Sequence, residues 1–236
     1  MKKTLWIAIA GALVVSVVAA SAQTEVLSAN AVGYIKKTLP AGGKLVVISI
    51  PLDLMTGTGE NQFGKTSIAE EAPTGSYVYF WDNGVQIWRP YLKSAAPRLW
   101  PLAASNYIVQ PGEGFFMKGP ASAVDNQDVT ITGEVPSDDS LGNALAGGSS
   151  LDILANPYPV DFQFGKSQIA MDASTGSYVY FWDSDVQIWR PYLKSAAPRL
   201  WPVTASNYVV QAGESYFLKE PGAGYLWSTN KPYSWP

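Results

Sequence analysis

Aliphatic or phenyl side chains alternate with Tyr, Trp or Gln along Tyr77-Val78-Tyr79-Phe80-Trp81 and again along Val85-Gln86-Ile87-Trp88, between Ser76 and Asp82 and before Arg89. A period of two belongs to β-strands. Asn83-Gly84 between the runs predicts a two-residue hairpin turn, whose central positions both need positive φ. In that register Phe80 pairs with Ile87 and Tyr79 with Trp88. One face then carries Val78, Phe80, Val85 and Ile87, all aliphatic or phenyl. The opposite face carries Tyr77, Tyr79, Trp81, Gln86 and Trp88, rings with polar handles and an amide. Beyond the hairpin, apolar runs are short, rich in Val, Ile, Tyr and Trp, and broken by Pro and Gly, so the pattern holds little sign of helix. Asn106 to Gln110, the turn Pro111-Gly112-Glu113-Gly114 and Phe115 to Lys118 read as a second hairpin. Val129 to Val135 and Tyr225-Leu226-Trp227 read as further strands. Tyr91 to Pro101 reads as a long ordered loop, anchored by Trp100.

The whole pattern occurs twice. Residues 63–120 align with 164–221 without a gap, at a constant offset of 101, and agree at 43 of 58 positions. Between Thr74 and Pro101 only Asn83 and Gly84 differ from their counterparts, Ser184 and Asp185, so whatever holds the copies alike acts hardest there. The second aromatic face is Tyr178, Tyr180, Trp182, Gln187 and Trp189. Four flanking exchanges, Leu102/Val203, Ile108/Val209, Phe115/Tyr216 and Met117/Leu218, swap similar apolar volumes and predict buried positions. The expected architecture is all-β: two tandem small sandwich-like or barrel-like modules with long loops, residues 23–136 and 137–236, joined near Pro136-Ser137-Asp138-Asp139-Ser140.

Three stretches carry a resemblance: Gly42-Gly43 with Leu45 to Leu52, the strand Tyr79-Phe80-Trp81, and Pro111-Gly112-Glu113-Gly114-Phe115-Phe116. With the start Ser28-Ala29-Asn30-Ala31-Val32-Gly33-Tyr34, they resemble uncharacterised exported β-repeat proteins of Verrucomicrobia and related bacteria. The resemblance covers most of the chain after residue 22 and implies a surface or extracellular location. It implies no catalytic residue.

The first residues point the same way. Lys2 and Lys3 precede an apolar run from Leu5 to Ala20, and Ala20-Ser21-Ala22 offers a small-x-small cleavage pattern, so residues 1–22 read as a signal peptide. The run is shorter than a membrane-spanning helix needs. Export is therefore expected, to the surface, the medium or the periplasm, with no transmembrane segment after cleavage. Removing the leader leaves 14 basic and 19 acidic residues, which argues against nucleic acid as a partner. Cysteine and histidine are both absent, which removes disulfides, thiolate and imidazole metal sites and every Ser-His-Asp arrangement. No cofactor or metal is expected. Asp125-Asn126-Gln127-Asp128 and Asp138-Asp139 read as solvated turns ahead of calcium sites.

Candidate contact residues follow from the duplicated rings: Tyr77, Tyr79, Trp81, Gln86, Trp88, Arg89 and Trp100, with Tyr178, Tyr180, Trp182, Gln187, Trp189, Arg190 and Trp201. Three readings compete for them: packing within or between modules, a protein interface, and a platform for sugar rings, which lie flat on Tyr and Trp. The function expected is non-catalytic, an exported structural or adhesion protein that assembles with itself or contacts partners through aromatic β faces. Polysaccharide binding is the alternative. A carboxylate-based glycosidase is the remote one, since Asp82, Glu113, Asp183 and Glu214 recur but sit at turns. Arg89, Lys93, Arg98, Arg190, Lys194 and Arg199 lie among rings, where cation–π contacts and solvated stems are expected.

Overall fold

The computed structural model describes residues 31–54, 61–95, 99–196 and 200–234; the leader, Arg98 and Arg199 lie outside them. The first module contains β1 (Val32–Leu39), β2 (Leu45–Ser49), β3 (Tyr77–Asp82), β4 (Ile87–Leu92), β5 (Gly114–Lys118) and β6 (Gln127–Glu134). The second contains β7 (Ser140–Ala144), β8 (Leu151–Ala155), β9 (Phe162–Gln163), β10 (Tyr178–Asp183), β11 (Ile188–Leu193), β12 (Val209–Val210), β13 (Ser215–Lys219) and β14 (Leu226–Asn230). One-turn helices α1 (Ser67–Glu71), α2 (Leu102–Ser105), α3 (Gln168–Asp172) and α4 (Val203–Ser206) lie between strands. The fold is all-β, built from several small antiparallel sheets, none closed into a barrel.

Each module repeats one plan. A four-stranded sheet, ordered β2-β5-β3-β4 or β8-β13-β10-β11, faces a two-stranded ribbon, β1-β6 or β7-β14. Leu39, Val129 and Ile131 of the ribbon pack with Ile48, Val78, Phe80, Phe115 and Met117 of the sheet, and Phe63, Ile68 and Trp100 fill the space between. The segment Val32–Leu39 pairs within its own module, from Val32 opposite Glu134 to Leu39 opposite Gln127, so it is not held out for a neighbour's sheet.

The hairpin forms with a longer loop than expected. Trp81 pairs with Trp88 and Phe80 with Arg89, and Asp82–Ile87 closes a four-residue loop, Asn83 to Gln86. The shift is two residues, so the parity of the strands survives and the two faces stay sorted. Asp82 holds the loop: its Oδ1 accepts from Gly84 N–H at 3.0 Å and Val85 N–H at 3.2 Å. Positive φ falls on Gln86 (58°) and Gln187 (59°), not on the Asn-Gly pair. That explains why Ser184-Asp185 serves equally well. Lengthening the loop also moves Val85 and Ile87 off the core; both are about half exposed, at 55% and 48%.

Three other expectations change. Residues 106–110 do not form a hairpin with β5, whose partners are β2 and β3; Ile108 bridges Gln62 instead, as β12 pairs β9 in the second copy. Leu102 and Val203 are exposed on the one-turn helices, and Val209 is half exposed, while Phe115/Tyr216 and Met117/Leu218 are fully buried. The helices were hidden because one turn gives no periodicity. Their signal is local: Thr66 and Ser167 cap α1 and α3, each hydroxyl accepting a backbone N–H at 3.3 Å.

Lys93 and Lys194 are not solvated stems. Each is about 5% exposed or less, and the Lys93 ammonium donates to the carbonyls of Ala69, Glu70 and Ala72 at 2.7–2.9 Å, at the end of α1. Trp100 Nε1–H donates to the same Ala69 carbonyl at 2.9 Å, so the long loop is tied to the helix by two side chains. Lys194 and Trp201 repeat the arrangement on α3. Removing the ammonium takes the side-chain donor from the Glu70 and Ala72 carbonyls, while Ala69 keeps Trp100. Lys93→Met is expected to cost about 3 kcal/mol, read by urea denaturation. Lys118→Met, which loses a cation over the half-buried Tyr77 ring, is expected to cost less than about 1 kcal/mol.

Candidate functional site

The aromatic faces of the two modules meet each other. Trp81, Phe116, Phe217, Val47 and Ile153 form one buried cluster, with Tyr79, Trp88, Tyr180, Trp182 and Trp189 packed around it. Trp81 and Trp88 sit edge to face at 5.1 Å, and Trp182 and Trp189 repeat this at 5.2 Å. Across the boundary, Phe217 lies 4.9 Å from Trp81 and Phe116 lies 4.7 Å from Trp182, again edge to face. Such T-shaped pairs are the preferred geometry of rings, and each adds roughly 1 kcal/mol beyond burial of its area. Most of the rings that the sequence offered for stacking therefore pack against the sister module, Trp81 buried and the others partly exposed. Phe116 and Phe217 complete the cluster and stand outside the ring set singled out from sequence. Their signal was present: Phe116 is unchanged in the second copy while its neighbour Phe115 becomes Tyr216, and adjacent strand residues face opposite ways.

Polar bonds cross the same boundary in reciprocal pairs. Leu151 N–H donates to Gln86 Oε1 at 2.7 Å, and Leu45 N–H donates to Gln187 Oε1 at 2.7 Å. Trp81 Nε1–H donates to the Leu151 carbonyl at 2.9 Å, and Trp182 Nε1–H to the Leu45 carbonyl at 3.3 Å. At the far ends of β2 and β8, Ser49 N–H donates to Gly213 O at 2.9 Å and Ala155 N–H to Gly112 O at 2.7 Å. Each module therefore covers the open edge of the other's sheet, the edge that would otherwise invite pairing with another chain. The opposite edges of the four-stranded sheets, β4 and β11, carry Pro90 and Pro191, which lack an N–H and blunt them.

The other candidates divide cleanly. Arg89 and Arg190 are exposed and grip Asp82 and Asp183 at 2.6–2.7 Å, holding those carboxyls below the usual range. Trp100 and Trp201 are core anchors. Tyr77 and Tyr178 are half-buried on the sheets, Tyr77 beneath the Lys118 ammonium. Glu113 accepts from the Tyr107 hydroxyl and from Gln110 N–H, and burial pushes its carboxyl up. Asp82 and Glu113 line one depression of about 320 Å³, both engaged in these bonds.

Two clefts flank the interface, related by the same pseudo-symmetry. One, of about 360 Å³, lies between the Pro111-Gly112-Glu113 turn and β7–β8. The other, of about 560 Å³, lies between the Gln211–Glu214 turn and β1–β2. Among the described residues no group of three or more acidic side chains stands ready to hold a metal ion. Asp128 pairs with Lys36 at 2.6 Å and Asp139 with Lys231 at 3.0 Å, so those acidic turns are engaged in ion pairs.

No protein-family model matches the chain, and no curated protein or solved structure compared with it is significantly similar.

The Gln86 amide acts at a backbone position that suits Asn better than Gln. Gln86→Asn is therefore expected to keep the loop and lose the reach to Leu151, costing about 1–2 kcal/mol. Hydrogen exchange should show the Leu151 amide losing protection while the Leu45 amide, held by Gln187, keeps it.

Proposed function

We propose that the chain is a non-catalytic exported structural protein that assembles with further copies of itself through the outer edges of its two modules. The observation that carries this reading is a set of exposed apolar side chains kept identical in both copies. Val85 and Val186 are 55% and 54% exposed, Ile87 and Ile188 48% and 49%, and Leu99 and Leu200 both 59%. Core packing does not demand those identities, and nearby turn residues that are exposed, Asn83 and Gly84, have changed.

Two equal apolar edges on one body make it bivalent. Contacts between such edges on successive copies extend a chain or layer, since each added copy brings a free edge. Pro90 and Pro191 favour side-chain packing over strand addition at these edges. The rings expected to contact partners support the assembly indirectly, by fixing the two edges on one rigid body. The leader sequence supports export, and the absence of histidine with turn-bound carboxylates supports a role without catalysis.

Analytical ultracentrifugation of the chain from residue 23 tests this. Wild type is expected to form species larger than a monomer as concentration rises. Ile87→Asp/Ile188→Asp should stay monomeric with an unchanged far-UV spectrum, since a charge in each apolar contact costs about 2 kcal/mol or more, on the order of 30-fold in association. A wild-type protein that remains a single monomeric species at high concentration contradicts the proposal.

A further inference from the structure

The two flanking clefts began as copies and have diverged in charge, and the divergence identifies a ligand class. At an offset of 106, β1–β2 aligns with β7–β8, so Lys37 corresponds to Asn143 and Val46 to Asp152. Geometry confirms the first pair. A Cβ built on Gly213 would lie 2.8 Å from Lys37 Cε, and one built on Gly112 would lie 3.1 Å from Asn143 Nδ2. Both side chains therefore cross the same glycine of the two turns, with φ of 73° and 77°. In the second turn burial pushes the Lys37 ammonium below its usual range, and the negative charges of Glu214, the next residue, and Asp161 oppose this. In the first turn Glu113 faces Asn143, whose Nδ2–H donates to the Pro111 carbonyl at 2.8 Å. Both turns carry the carboxylate, and the first cleft has no ammonium in the place of Lys37.

A second observation points into the same cleft. Asp152 lines it, is 2% exposed, and carries one carboxylate oxygen with no hydrogen-bond partner; the other accepts from Ala146 N–H at 3.1 Å. Burial pushes the carboxyls of Asp152 and Glu113 up, opposed only in part by hydrogen bonds. None of the residues lining the cleft is basic, and Trp81, Tyr107, Ile153 and Leu154 supply apolar and aromatic walls. Two carboxylate residues in a cleft that also has aromatic and aliphatic lining suit an ammonium on an alkyl stem. We infer that this cleft binds a primary alkylammonium group, taking the place that Lys37 occupies in its twin.

The inference does not rest on self-assembly, because none of the exposed apolar side chains proposed to join copies lines the cleft. Calorimetric titration of the chain from residue 23 with n-butylammonium chloride, at constant ionic strength, tests it. One saturable site in roughly the millimolar range is expected. Asn143→Lys, which supplies an internal ammonium as in the twin cleft, should weaken binding at least about tenfold, and Glu113→Gln should do so without adding any bulk. Circular dichroism confirms that each variant is folded. Titration with Nα-acetyl-lysine amide separates sources: binding of both ligands supports capture of lysine side chains, and binding of butylammonium alone supports capture of a small free amine. No saturable binding below about 0.1 M, or equal affinity in wild type and both variants, overturns the assignment.

Discussion

Burial of one Tyr/Trp face against its own copy is the constraint on which the rest of the molecule depends. Each four-stranded sheet has two apolar sides, and the ribbon and helix of its module cover only one. The other side, with Tyr79, Trp81, Trp88 and Phe116, must be removed from water by something else. The sister sheet does this. Large rings bury roughly 150–250 Å² each, so a cluster of this size contributes several kcal/mol, enough to hold two small modules together where their linker alone would not. The polar tips then fix the alignment. Trp81, Trp182, Gln86 and Gln187 reach backbone groups at the start of the opposite edge strand, and the reciprocity of these bonds makes the pair pseudo-symmetric.

This also accounts for where the copies have drifted. Residues 74–101 contribute the rings, the Gln clamp, the Lys93 cap and the Trp100 anchor, and a change in one copy must suit a partner surface built from the same residues. The two positions that differ there lie at an exposed loop tip whose backbone does not require glycine. Outside the block the copies are free to diverge, and module cores show it. Tyr216 replaces Phe115, and Glu220 replaces Gly119; the Glu220 carboxylate accepts from Ser174 N–H, Ser177 O–H and Gly222 N–H, and these bonds outweigh burial to hold it below the usual range. In the first copy the Ser76 hydroxyl, without that glutamate, is buried without a hydrogen-bond partner.

Much of this was legible in the sequence because strand alternation survives a change of loop length by an even number. Phe80 and Trp81 face opposite ways whether the turn holds two residues or four, so the sorting of faces followed from the pattern alone. What the rings cover did not follow, since an amphipathic ring suits a sister module, a partner protein or a sugar equally well. The loop length was not legible because Asn-Gly dominates local expectation, while the decisive contacts come from Asp82 at the end of β3 and from Leu151 across the interface. The clefts were invisible for a related reason: Lys37 and Asn143 fall outside the region of high identity, and their common position over Gly213 and Gly112 is needed to confirm them as counterparts.

The shared aromatic cluster should make one cooperative body out of the two modules. Differential scanning calorimetry of the chain from residue 23 measures this directly. A single transition whose calorimetric and van't Hoff enthalpies agree is the predicted result. Two resolved transitions, or a van't Hoff enthalpy close to half the calorimetric value, would show that the modules unfold separately and contradict it.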